Sequence, residues 1–521
     1  MKQFIYDAYI HIVYGRLLTI LSPYFFAGIF LLAVLYYTVC RKMQWQLLLM
    51  ASAAFYTANA PWRGNICMLA PLAASYFAAL YAGRAERRHR LAAVLGAVLF
   101  DAAVLIFFKE RGFFRFLIGL ATGHRPADLD ITAPFGISYL SLMLISYVLD
   151  VYWGTAPVQR NPFKFALSVI LLPLGTSGPI ARYAEMKEQL FVRHRFDYTQ
   201  FCFGVQRIVW GLFKKMVVAD RLALIVGTVY GAYENYAGIV IAVGFACYTL
   251  QVYCDFSGCI DIVLGTGQLF GFALPENFRT PFFATSLSEI WRRWHITLGL
   301  WVKDYVLYPI LKSRGIQALS SFLKKSLGKK NRYARLIPTW CGMFVVWFTV
   351  GFWHGGSWKY IFGSGLFFFM MIAGGQLLEP LFALPVKALR INTEAASWRF
   401  FRRVRTFALF SASIAFDRAF SFSEGLRIWR RLFSQWNPWV LFDGTLFKLG
   451  LDVMDFTVAV IGLLVMLLVS NLEQARSVRM RLAEQNIAFR WAMYLGLVFS
   501  VIIFGMYGPD YNANAFIYAG F

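Results

Sequence analysis

Residues 337–358 read IPTWCGMFVVWFTVGFWHGGSW, a run without Lys, Arg, Asp or Glu that carries one histidine, His354, near its end. A helix rises about 1.5 Å per residue, so a stretch of this length crosses a hydrocarbon layer of about 30 Å. The reading decides the fold class because the chain repeats the pattern. Charge-free or charge-poor runs also occupy 17–39, 46–60, 67–82, 91–108, 134–153, 203–218, 238–254, 260–274, 360–378, 407–416, 453–470 and 491–507. A soluble core does not supply so many.

Composition agrees. Hydrophobic residues make up 59% of the 521 and charged residues 15%, against about a quarter charged in soluble proteins. Lys plus Arg number 51 against 27 Asp plus Glu, a formal charge of +24. The basic residues cluster beside the apolar runs, where they hold loops on the cytoplasmic side and meet anionic lipid heads. With no nucleic-acid-binding motif beside them, nucleic acid is not an expected partner; membrane lipid is. The seven cysteines include no CxxC pair, so neither a disulfide framework nor a metal site is indicated. Polar residues and His11 precede the 17–39 run without a signal-peptide layout, so that run is expected to stay as a membrane helix.

The predicted fold is all-α: a polytopic membrane protein of about a dozen transmembrane or re-entrant helices, read as a single domain over 1–521. Two places depart from simple spanning. Residues 161–180 are apolar but broken by Pro162, Pro173, Gly175, Gly178 and Pro179, which predicts a kinked or re-entrant segment whose freed backbone groups find protein partners. Asp101 lies inside the 91–108 run and must face protein or water. Residues 311–335 carry eight Lys or Arg and no acid, and are predicted to lie on the cytoplasmic membrane surface.

Three places offer chemistry. His354 sits in Gly351-Phe-Trp-His-Gly-Gly-Ser-Trp358. Burial in a low dielectric keeps imidazole neutral and able to accept a proton, and the two following glycines let another group approach. A buried histidine bonded to a carbonyl fits the residues equally well. His295 ends Glu289-Ile-Trp-Arg-Arg-Trp-His295; as a helix, this would put Trp291 with His295, and Glu289 with Arg293, on shared faces. The same Arg and Trp residues suit an interfacial anchor. Asp255, in Gln251-Val-Tyr-Cys-Asp-Phe-Ser-Gly258, interrupts an apolar run with Asp261 six residues on. It either joins an ion pair or orients a histidine.

Taken in order, these motifs resemble those of a known family. Pro134-Phe-Gly-Ile-Ser-Tyr139, Ser177-Gly-Pro-Ile-Ala-Arg182, Gly211-Leu-Phe-Lys-Lys215, Tyr253-Cys-Asp-Phe-Ser-Gly258, Pro275-Glu-Asn-Phe278, Trp291-Arg-Arg-Trp-His295, Trp301-Val-Lys-Asp-Tyr305, Gly351-Phe-Trp-His-Gly355 and Phe516-Ile-Tyr518 are similar to membrane-bound O-acyltransferases. The branch is that of bacterial alginate O-acetyltransferase membrane subunits and the D-alanyl transfer proteins of teichoic acid synthesis. The likeness covers 131–521, with 1–130 adding N-terminal helices. Two departures stand out: Tyr308-Pro-Ile-Leu-Lys312 where alginate-modifying relatives carry Leu-Gly-Gly, and Asp417 where an apolar residue is common.

The resemblance implies a ring of helices around a thin central chamber in a bacterial cytoplasmic membrane. It implies that His354 is catalytic and that His295 serves the same chamber, lined or supported by Asp255, Asn277, Glu289, Arg292, Arg293, Asp304, Trp353 and Trp358. Acetyl-coenzyme A, or an acyl carrier thioester, is the implied donor, with no bound cofactor. The acceptor is a hydroxyl of an extracytoplasmic polysaccharide or of an esterase-like relay protein. His354 is expected to act as base, with transient acylation of His354 as a nucleophile the alternative, and His295 or Trp358 to donate to the oxyanion. An acyl carrier protein as partner would accompany D-alanyl transfer, and a lipid or glycan transporter is the reading from a different class.

Overall fold

The computed structural model describes residues 20–59, 62–84, 87–124, 133–172 and 174–507. His11, the start of the 17–39 run, part of the loop before Pro134 and the 516–518 motif lie outside them. Among the described residues the secondary structure is helical, with one isolated antiparallel bridge between Phe278 and Trp294.

Among the described residues, seven helices are long and apolar enough to cross a membrane: Arg63–Ala82, His89–Lys109, Ile239–Leu269, Tyr333–Gly355, Lys359–Leu377, Val453–Glu473 and Ile487–Phe504. Two other predicted runs form shorter apolar helices, Pro23–Tyr37 and Ile137–Trp153, and the 407–416 run lies within the longer, arginine-bearing helix Ala396–Arg418. One expectation is corrected. The runs 238–254 and 260–274 are a single 31-residue helix, Ile239–Leu269. Asp255 and Asp261 do not break it, because each carboxylate meets a cation: Asp255 with Lys215 and Asp261 with Arg207.

The chain falls into two compact units. The first comprises 1–213, 256–276 and 507–521. In it the helices Trp62–Ala82, Arg87–Lys109 and Ile137–Trp153 pack against one another. Asp101 is fully buried there and accepts a 2.5 Å hydrogen bond from the Ser75 hydroxyl, the protein-facing partner that a carboxyl group in lipid requires. The 161–180 segment is broken as expected, into Pro162–Ile170 and the single turn Leu174–Ser177. Asn161 caps the first piece, accepting from the Phe163 and Lys164 amides, and the freed Leu172 N–H donates to Ser52. Irregular backbone at membrane depth survives only where such partners exist.

The second unit comprises 214–255 and 277–506 and holds both candidate histidines. Its core is aromatic. Trp291 packs edge-on to Trp347 and Phe368, and Trp294 and Trp291 both meet Phe410. Trp294 is only 3% exposed, so its indole is a core residue and not an interfacial anchor. Among the described residues three stretches are wound as π-helix, Phe213–Ala219, Lys303–Leu307 and Lys359–Leu366; such widened turns are uncommon and concentrate at functional sites. The basic helix Arg314–Leu327 buries none of its residues and leaves Phe322, Lys324 and Lys325 outward, the make-up of a helix lying in a membrane interface.

Candidate active site

The helix Tyr333–Gly355 ends one residue beyond His354, with Gly356 in a left-handed cap at φ +64°. His354 therefore stands in the last turn, where the carbonyl end of the helix favours a positive charge on the ring. Trp353 beside it is buried, and its indole lies 5.0 Å from the His354 ring and 6.2 Å from the His295 ring, centroid to centroid. One indole thus touches both imidazoles.

Close approach by the following helix completes this side. A Cβ on Gly351 would stand 2.5 Å from the Tyr360 carbonyl oxygen, and one on Gly355 would stand 2.7 Å from the Tyr360 ring. Small residues four apart let two membrane helices meet at backbone distance. Tyr360 is thereby brought over the His354 ring, nearly parallel to it at 6.5 Å. Lys359 spreads its ammonium over the Tyr360 ring and donates to the carbonyls of Asp417 and Ala419. That places the unusual Asp417 next to the site through its backbone.

His295 is built differently. The segment 291–295 is not helical: a short turn, Leu287–Ile290, precedes it and a helix, Ile296–Val302, comes after it. Trp291 and His295 consequently do not share a helical face, although Glu289 and Arg293 do pair at 2.7 Å. His295 adopts φ +48°, ψ +51°, a left-handed conformation that costs a non-glycine residue about 1–2 kcal/mol. Two backbone bonds impose it. Arg279 N–H donates to the Arg293 carbonyl at 2.8 Å, and Ile296 N–H to the Asn277 carbonyl at 3.0 Å. Between them lies the Phe278–Trp294 bridge.

The Asn277 side chain finishes the clamp. Its Oδ1 accepts from the Thr297 N–H at 3.1 Å and the Thr297 hydroxyl at 2.9 Å, and lies 3.2 Å from His295 Nδ1. Burial, and then the nearness of His354, hold the His295 pKa well below its usual range, so the ring is neutral at physiological pH.

The other predicted residues separate into groups. Glu289 accepts from the Thr285 N–H and hydroxyl as well as from Arg293, which itself donates to Thr280. Burial alone would raise the Glu289 pKa, but these donors and the Arg293 charge hold it below the usual carboxylate range. The pair braces the clamp. Arg292 is exposed, and Trp358 is 64% exposed. Asp304 lies in the π-turn Lys303–Leu307. Asp255 meets Lys215 at 2.6 Å, and Lys215 also meets Asp220 at 2.9 Å. Thr297 and Tyr360 were not signalled by their motifs. Thr297 stands two residues beyond His295, and Tyr360 comes after the Gly-Gly pair, so only their placement reveals them.

Residues 161–327 match the membrane-bound O-acyltransferase family. Over 435 residues the chain is 32% identical to the probable alginate O-acetylase AlgI of Pseudomonas syringae pv. tomato, covering 82% of this chain and 77% of that protein. It is 29% identical over 346 residues to the peptidoglycan O-acetyltransferase of Helicobacter pylori, covering 60% of this chain and 61% of that protein. With the teichoic acid D-alanyltransferase of Bacillus subtilis it shares 26% over 270 residues, 51% of this chain and 64% of that protein. The chain belongs to the membrane-bound O-acyltransferase family. It is a multi-pass membrane enzyme that transfers acyl groups to oxygen.

Proposed function

We propose that the protein moves an acetyl group from the thioester of acetyl-coenzyme A, taken from the cytoplasm, to a hydroxyl of an extracytoplasmic polysaccharide or of a relay protein that serves one. His354 is the base. It takes the hydroxyl proton as the oxygen bonds to the thioester carbonyl carbon; the C–S bond then breaks, and the imidazolium returns the proton to the departing thiolate. Atoms and charge balance without another reactant.

The observation that carries this reading is the pair of histidines held on one buried indole, with His354 in the last turn of an apolar helix. Support for acetyl over D-alanyl comes from the relatives. Those named for O-acetylation match at 32% and 29% identity, the D-alanyltransferase at 26% over a shorter stretch. The setting proposed is a bacterial cytoplasmic membrane.

The test uses purified protein with acetyl-coenzyme A and a soluble glycan acceptor, alongside His354→Ala. Transfer by the parent and none by the variant, at equal protein level and thermal stability, is the expected result. Full acetylation by His354→Ala overturns the role of His354. D-alanyl transfer remains the second reading because a D-alanyltransferase is among the relatives; transfer from a carrier-bound D-alanyl thioester but not from acetyl-coenzyme A would establish it. A transporter would show no thioester consumption in either protein.

A further inference from the structure

The decisive atom is the Oδ1 of Asn277. An amide oxygen and nitrogen are interchangeable in shape, and their assignment comes from the hydrogen-bond network. Here a backbone N–H, that of Thr297, points at the atom from 3.1 Å. A backbone N–H only donates, so the atom receiving it is the oxygen. An amide oxygen only accepts, so His295 Nδ1, 3.2 Å away, must carry a hydrogen. A neutral imidazole has one N–H; with Nδ1 protonated, the lone pair is on Nε2.

We propose that Asn277 is a positioning residue that fixes His295 as the Nδ1–H tautomer, making Nε2 a hydrogen-bond acceptor throughout the acyl transfer. The inference rests on the acyltransfer reading for its use, but its structural content stands alone. It assigns the two histidines opposite duties. His295, with its single N–H committed to Asn277, cannot donate to an oxyanion, contrary to the expectation from its motif. It accepts instead, and a hydroxyl proton or the N–H of a protonated His354 is what its lone pair can receive.

Three further features agree. Asn277 is wholly buried and its Nδ2 has no hydrogen-bond partner among the described residues, so the amide leaves its own donors unmet while its oxygen serves His295 and Thr297. The backbone of His295 is held in the left-handed region, a conformation that persists where the surroundings over-determine it and that clusters at functional sites. His354 is a titratable neighbour near enough to act on the ring. Glu289 and Arg293, on the adjoining turn, are paired to each other.

The test reads the tautomer directly. In protein labelled with nitrogen-15 histidine and held in lipid, the His295 signals, assigned by their loss in His295→Gln, should show a pyrrole-type Nδ1 and a pyridine-type Nε2 at neutral pH. The reverse pattern overturns the proposal whether or not the protein transfers acetyl, so it fails separately from the functional reading. Asn277→Asp is the kinetic arm. A carboxylate keeps the acceptor atom and the Thr297 cap but favours imidazolium, so the acid limb of kcat should move to higher pH with KM changed less than about twofold. Asn277→Ala should lower kcat about tenfold or more with KM nearly unchanged. An acid limb in Asn277→Asp identical to that of the parent overturns the positioning role.

Discussion

Lys215 and Asp255 meet at 2.6 Å with both side chains no more than 3% exposed, and Asp220 approaches the same ammonium at 2.9 Å. Asp255 is therefore committed to a buried ion network. Removing one member of such a network strands charge away from water and costs about 3–5 kcal/mol, while a neutral isostere retains part of the bonding. Asp255→Ala should lower the unfolding midpoint in detergent substantially, and Asp255→Asn less. Lys215→Met combined with Asp255→Leu and Asp220→Asn should recover much of the loss. Equal midpoints for the two single variants would argue against a buried pair.

The approach of Tyr360 to Gly351 gives a second expectation. Alanine at Gly351 would press on backbone, which yields little, whereas alanine at Gly355 would press on a ring that can rotate away. Overpacking of this kind costs about 1–3 kcal/mol. Gly351→Ala should be the more destabilising variant by thermal unfolding. Gly355→Ala should fold nearly normally but lose transfer activity, because Tyr360 is displaced from His354.

Acid should weaken the second unit through His295. Its folded-state pKa lies below the unfolded value of about 6.5, so the unfolded chain binds the proton more readily. The stability contributed by the neutral ring is complete above about pH 6.5 and is lost as pH falls from there toward the lower folded value. The parent protein should lose more of its thermal midpoint between pH 7.5 and 5.5 than His295→Gln does. An identical acid dependence in the two would show that His295 does not titrate on unfolding.

Much of the fold could be read from the chain because lipid imposes a one-dimensional rule. Apolar runs at 337–358, 360–378 and 453–470 foretold Tyr333–Gly355, Lys359–Leu377 and Val453–Glu473 within a few residues. The rule failed where side chains answered to distant partners. Asp255 and Asp261 looked like a break in a span, but Lys215 and Arg207 neutralise them and the helix runs through. His354 was legible because a lone imidazole in a charge-free run is conspicuous. The setting of His295 was not, since nothing in Trp-Arg-Arg-Trp-His signals a left-handed residue. Its clamp depends on Asn277, eighteen positions earlier. Helical spacing drew Trp291 and His295 together on paper, where a turn in fact separates them.

The π-turns carry a consequence for how this chain tolerates changes in length. Each is an α-helix that has absorbed an extra residue, and they lie at Lys215, Asp304 and Tyr360. Deleting one residue within Lys359–Leu366 would let the helix relax to ordinary winding with its flanking turns kept in register, removing the widened turn that carries Tyr360. Such a deletion would trade the placement of Tyr360 for a more regular helix, so shortening there should be punished in turnover long before it is punished in folding.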